Sequence, residues 1–355
     1  MNSSVIFSLV FVMFGLSQVA FSVKVNNASK RTSVRVLNWW NYMDQRIVEN
    51  LNTKGFDLDI SIYHSNEVAL SRLLSKRDDF DIAIVSNINL DLLLKEDIFD
   101  KKVLKAIVKK RPYNKMILSN FECVPYMWGT TIYAYDARTN PNPPKTLKDL
   151  KAMEKKGFKV GVLDDAFEMS ARILGDNFEN CSVKNFDNFF SNVTTCGKSF
   201  SDSELGFTAS DFLTSSDEFL KQEKVAVYTW QGGVFMNLKN SPWLKFSLSS
   251  NYQVIGADYV CVLKKNSMQK DKAKKIQELV DILTNKKNTE LNVETSQYFS
   301  PYRSHTNGLH PYVKTFYSEL MEKLKYSKPI FLTTPNSDVH KKINEWWKKV
   351  RYEIK

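Results

Sequence analysis

Two rhythms of apolar and polar residues alternate along the first third of the chain. Val34–Asn38 is a short apolar run and predicts a strand, while Asp44–Thr53 has helical spacing and closes near Gly55. Leu58–Tyr63 and Asp81–Val85 predict two more strands, and Glu67–Ser75 and Asn89–Lys95 two more helices. Strands that alternate with helices pair in parallel through right-handed crossovers. Thr130–Tyr135 is the next β-rich segment, and Asn140–Pro144 (NPNPP) breaks the pattern. A second α/β stretch follows. Its strands are Lys159–Leu163, Val225–Trp230 and Val254–Leu263, and its helices Ala166–Leu174, Lys272–Leu283, Val313–Leu324 and Val339–Val350. Residues 177–216 are polar with little periodicity, and no internal repeat is visible.

An alternation that stops and resumes predicts two α/β lobes with the chain crossing between them more than once. In open α/β sheets, ligands sit beyond the carboxyl ends of the strands. Trp39-Trp40-Asn41-Tyr42, Ser86-Asn87, Asp164-Asp165 and Trp230-Gln231 stand at such ends, and Asp258, inside the Val254–Leu263 strand, is grouped with them. Aromatic and polar groups therefore collect where a cleft is expected.

Composition narrows the function. The chain has 355 residues, enough for about two domains with real cores. Its net charge is +11, but the lysines come in twos and threes along the whole length. No nucleic-acid motif accompanies them, so a solvated basic surface is expected and nucleic acid is not an expected partner. Val5–Leu16 is apolar, and Ala20-Phe21-Ser22 supplies small residues for a signal peptidase. Residues 1–22 thus predict a signal peptide, too short to span a bilayer, and a periplasmic location. Cys181 and Cys196 share one polar stretch and predict a small disulfide loop, whereas Cys123 and Cys261 lie in apolar segments and predict buried free thiols.

Catalysis finds little support. His64, His305, His310 and His340 are dispersed without metal-ligand spacing, and no nucleophile elbow, phosphate loop or dinucleotide fingerprint occurs. Asp164, Asp165 and Glu168 supply carboxylates, yet Asp165-x-x-Glu168 also fits a capping box at a helix start. No enzyme, metal or cofactor is expected.

Several segments, in order, resemble the periplasmic polyamine-binding proteins of bacterial ABC importers. They are LNWWNY (Leu37–Tyr42), YHSNEVALSRL (Tyr63–Leu73), FDIAIVS (Phe80–Ser86), VPYMWGTTIYAYD (Val124–Asp136), GVLDDAFEMS (Gly161–Ser170), VAVYTWQGGVF (Val225–Phe235) and YFSPY (Tyr298–Tyr302). The resemblance implies a type II flytrap fold. Each lobe is a mainly parallel sheet flanked by helices, and crossing hinge strands join the two. It places residues 32–130 and 260–305 in the first lobe and 131–259 and 306–355 in the second. It also implies a monomer that captures a putrescine- or spermidine-like amine and delivers it to permease subunits.

Residue by residue, the resemblance makes Trp39, Tyr42 and Trp230 aromatic walls, Glu168 and Asp258 amine-binding carboxylates, and Tyr298 a cleft tyrosine. Trp40, Ser86, Asp164 and Asp165 join them as ligand-binding positions. The sequence departs from the family pattern at Trp40, Asn41, Ile88, Gly233 and Gly256, where hydroxyl, acidic or aromatic residues are replaced. The slot has lost negative charge, which points to a standard polyamine bound weakly or to another amine or small solute.

Overall fold

Caps and turn residues begin and end the elements as the pattern requires. The computed structural model describes residues 31–101, 103–118, 122–176, 212–213, 217–250, 253–265, 270–327, 329–332, 340–341, 343–345 and 347–348. The expected signal peptide and the Cys181–Cys196 bond lie outside the described residues.

The first half runs β1 (Thr32–Trp39), α1 (Gln45–Thr53), β2 (Phe56–Tyr63), α2 (Asn66–Lys76), β3 (Ile82–Ser86), α3 (Asn87–Lys95) and α4 (Lys105–Lys110). Asp44 caps α1 by accepting the Arg46 N–H, and Ser65 caps α2 by accepting that of Val68. Gly55, at φ +84°, turns the chain from α1 into β2. β1 pairs in parallel with both β2 and β3.

β4 (Val124–Asp136) is buried at every position. The second half continues with α5 (Leu147–Glu154), β5 (Lys159–Leu163), α6 (Ala166–Asp176), β6 (Phe212–Leu213), α7 (Asp217–Leu220), β7 (Val225–Trp230), α8 (Gln231–Asn237) and β8 (Leu244–Ser247). The chain then returns through β9 (Gln253–Val262), α9 (Lys270–Leu283), α10 (Lys286–Ser296), α11 (Pro311–Tyr326) and β10 (Pro329–Phe331). The strand order is β2-β1-β3-β9-β4-β7-β5-β6, with β10 on β9 and β8 on β4.

β4 and β9 are long because each serves both halves. From Val124 to Thr130, β4 pairs antiparallel with β9; from Thr131 to Tyr135 it pairs antiparallel with β7. β9 pairs with β10 through Gln253–Ile255 and with β3 through Asp258–Val262. This is the type II two-lobed architecture. Helices α5 and α10 fall in stretches where the apolar pattern predicts none. α5 is nucleated by a Thr146–Asp149 capping box, and α10 buries polar residues (Asn288, Thr289, Asn292, Ser296) on its inner face.

Cys123 and Cys261 correct an expectation. They are not free thiols but a disulfide, with Cα atoms 4.7 Å apart. The register Val124↔Val260 places them opposite each other on neighbouring antiparallel strands, where two cysteines meet without backbone movement. Their apolar surroundings, read alone, gave no hint of this partner.

Candidate binding site

The strand ends converge on a cavity of about 190 Å³. β1 delivers Trp39, and the turn after it is held in place from behind. Asn41 adopts φ +54°, which asparagine tolerates well. The Tyr42 carbonyl accepts the Tyr126 hydroxyl at 2.9 Å, and Tyr126 in turn accepts Asn292 Nδ2 at 2.8 Å. Asn292 Oδ1 accepts the Asp44 N–H at 2.9 Å. One asparagine on α10 thus fixes the turn that presents Tyr42.

Asp258 on β9 stands directly opposite Ser86 on β3. Its Oδ1 accepts Ser86 Oγ at 2.5 Å and Trp39 Nε1 at 3.2 Å, and its Oδ2 accepts the Tyr42 hydroxyl at 2.6 Å. Burial pushes its carboxyl upward, opposed by these three donors. Burial, together with the Asp258 charge, also raises the Tyr42 hydroxyl well above its ordinary value. No lysine or arginine among the described residues pairs with Asp258.

Glycines make room for the aromatic walls. A Cβ on Gly256 would lie 2.5 Å from the Trp230 indole, and one on Gly232 would lie 2.1 Å from the Tyr298 ring. The Tyr298 ring meets that of Tyr42 edge-on at a centroid distance of 5.2 Å. The missing aromatic at position 256 is therefore answered by Trp230, which occupies the space above it. Trp40 is 47% exposed at the mouth, beside His64.

Trp39, Trp40, Tyr42, Ser86, Trp230, Asp258 and Tyr298 all line this cavity; Asp164, Asp165 and Glu168 do not. Glu168 is buried in the second half, where its Oε1 accepts Thr131 Oγ1 at 2.7 Å and the Tyr228 hydroxyl at 2.5 Å. Burial raises its pKa to about 7. Asp165 caps α6 by accepting the N–H groups of Phe167 and Glu168, and Asp164 accepts Trp347 Nε1 at 3.0 Å. Of the two carboxylates that the resemblance assigns to the amine, Asp258 lines this cavity and Glu168 does not. The amphipathic turn of α6 points Glu168 inward, onto β4 and β7.

The cavity also holds residues that the sequence did not single out as ligand-binding, among them Asn66, Thr229, Met236 and Leu332. Asn66 sits inside the Ser65-Asn66-Glu67 segment, which reads as a helix start. Leu332 lies beyond the last strand and carries no local signal.

The architecture is that of the two-lobed periplasmic solute-binding proteins. No family model matches the chain. Part of its sequence is similar to putrescine-binding periplasmic proteins. It is 27% identical over 172 residues to PotF of Escherichia coli (strain K12), covering 41% of this chain and 45% of that one. It is 25% identical over 118 residues to SpuD of Pseudomonas aeruginosa (strain UCBPP-PA14), covering 31% and 32%. The matched segments thus span less than half the length of these curated relatives. Among solved structures, a putative spermidine/putrescine ABC transporter protein from Listeria monocytogenes superposes with a TM-score of 0.67. It is 16% identical, over 91% of this chain and 99% of that one. That likeness is one of fold.

Proposed function

We propose that this chain is the extracytoplasmic solute receptor of an ABC importer, and that it holds an amine of the polyamine class between its lobes. Asp258 carries the reading. It is a buried carboxylate on a cavity wall, without a cationic partner among the described residues, in a chain of net charge +11. A charge-assisted hydrogen bond to an ammonium contributes about 1.5–3 kcal/mol. The faces of Trp39, Tyr42, Trp230 and Tyr298 cover methylenes and add about 0.5–2 kcal/mol per cation–π contact.

The first lobe is residues 32–130 and 260–305, the second 131–259 and 306–355, and a solute touching both favours the closed form. The closed receptor then delivers its solute to permease subunits. The Cys123–Cys261 bond fits an oxidising compartment, in keeping with the periplasmic names of the relatives. Among the described residues no helix is long and apolar enough to cross a membrane. A second reading keeps the receptor and changes the solute, because Asp258 is the one acid on the cavity wall among the described residues.

The test is thermal unfolding of residues 23–355 against putrescine, spermidine, cadaverine, agmatine and basic amino acids. A bound amine at about 100 times its Kd adds about 2.7 kcal/mol and a clear rise in melting temperature. Silence from folded, ligand-free protein across the whole panel sinks the amine assignment.

A further inference from the structure

Basic residues that stand far apart in the sequence are gathered by the fold. α4 buries Ile107 and Val108, and Lys105, Lys109 and Lys110 lie on its solvent side. The next residue, Arg111, reaches across to the end of α9. Its guanidinium donates to the carbonyls of Asp281 at 2.8 Å and Thr284 at 2.5 Å. Lys286 and Lys287 open α10 directly after that turn. Two backbone bonds tie in a third segment. The Pro112 carbonyl accepts the Arg303 N–H at 3.0 Å, and the Asn114 N–H donates to the Pro301 carbonyl at 2.8 Å. Lys115, one residue on, is exposed.

Residues 105–115, 281–290 and 301–305 therefore share one surface. They hold eight lysines and arginines against two acids, Asp281 and Glu290, in a chain whose whole net charge is +11. Asp281 is taken by Arg111 at 2.5 Å, and Glu290 stands 4.0 Å from His305. The six lysines and Arg303 are exposed and form no ion pair among the described residues.

The chemistry of this surface discriminates among anionic partners. An interface with another protein needs an apolar centre with large anchoring side chains. The large exposed hydrophobics among the described residues (Trp40, Ile62, Val68, Leu74, Tyr312 and Tyr326) all lie in other segments. Single-stranded nucleic acid is held by stacking on exposed aromatic rings, and bases in duplexes are read mostly by arginine forks. Here Tyr113 and Tyr302 are buried against each other, and the unpaired cations are lysines except for Arg303. Lysine is a mobile point charge, suited to a layer of anionic headgroups that sets no fixed geometry. Ser296, at the far end of α10, lines the cavity, so eleven residues of helix, about 15 Å, separate it from Lys286.

We propose that this surface docks the protein on the anionic phospholipid headgroups of a bilayer and leaves the cavity free. The inference goes beyond the receptor reading, and its test uses no amine, so either can fail alone.

The experiment is co-sedimentation with vesicles of phosphatidylcholine, alone or with about 30% phosphatidylglycerol. It uses residues 23–355, which keep every described residue and omit the apolar Val5–Leu16 run. At low salt the protein is expected to partition at least about tenfold more strongly onto the anionic vesicles, and about 0.5 M salt should abolish the difference. Changing Lys109, Lys110, Lys286 and Lys287 together to Gln is expected to cut anionic binding at least about thirtyfold. The same change at exposed Lys148, Lys155, Lys156 and Lys239, in the other half, should cut it less than about threefold. If the fourfold variant does not fold, Lys109→Gln/Lys110→Gln and Lys286→Gln/Lys287→Gln made separately carry the test, each costing at least about fivefold. Equal losses in patch and control variants overturn the proposal, because net charge and not this surface would then be acting. So does a wild type that ignores anionic vesicles, whether or not the patch retains an oligonucleotide.

Discussion

Asp258 and Glu168 have nearly the same immediate partners and different situations. Each is a buried carboxylate that accepts one aliphatic hydroxyl and one tyrosine hydroxyl, Ser86 and Tyr42 for the first, Thr131 and Tyr228 for the second. Asp258 lies on the wall of a cavity, while Glu168 Oε2 is enclosed by protein without a hydrogen-bond partner among the described residues. A donor set therefore does not make a ligand site. What lies on the carboxylate's free side decides it.

The sharpest way to break the comparison is to remove each acid in turn. Asp258→Ala is expected to weaken amine binding at least about a hundredfold, or about 2.7 kcal/mol, whereas Glu168→Gln should leave the Kd within about threefold. Calorimetric titration reads both. Equal losses would return Glu168 to the ligand, as the sequence resemblance expects.

The next effect is on stability. The Glu168 pKa stands at about 7 in the fold against 4.5 for an ordinary glutamate. Its pKa is raised, so between those values the unfolded chain releases a proton that the folded chain keeps. The stability that Glu168 contributes is therefore greatest below about pH 4.5, falls as pH rises to about 7, and is level beyond. At 1.36 kcal/mol per pH unit the loss is about 3 kcal/mol. Glu67, also raised to about 7 by burial, contributes in the same direction. Urea unfolding of wild type and Glu168→Gln across this window should show the slope reduced in the variant. Parallel curves would mean that Glu168 ionises freely.

The smallest effect sharpens the cavity side. Gly256→Ala drives a methyl into the Trp230 indole, so that ring must tip into the cavity. Overpacking of this kind costs about 1–3 kcal/mol of stability, and amine affinity should fall about fivefold. Unchanged affinity in a folded variant would mean that Trp230 is not a wall of the amine site.

The parallel first half is legible because each of its strands runs into a helix, and Asp44 and Ser65 cap the first two of these helices. The strand ends also announced the aromatic cluster, since polar groups at the carboxyl ends of apolar strands have few structural reasons to be there, whereas Asp258, in the middle of β9, was marked by the family resemblance. The place of Glu168 was less legible. Its spacing from Asp165 was clear, but whether a helix side chain faces core or cleft depends on where β4 and β7 lie. Asn66 stayed hidden because its neighbours form an ordinary helix cap, and only the contact with Asp165 in the other half reveals its orientation. The Cys123–Cys261 pair, 138 residues apart, depends wholly on the register of β9 against β4.

That disulfide also changes the topology of the chain. It closes residues 123 to 261 into a covalent ring that carries β4 through nearly all of β9 and everything between them. A single proteolytic nick inside the ring opens a loop without severing the molecule, and the pieces part only after reduction. The bond also pins one end of the two strands that pass between the halves, so they cannot slide along each other there. From there the paired strands run on to Thr130 and Gly256, beside the cavity.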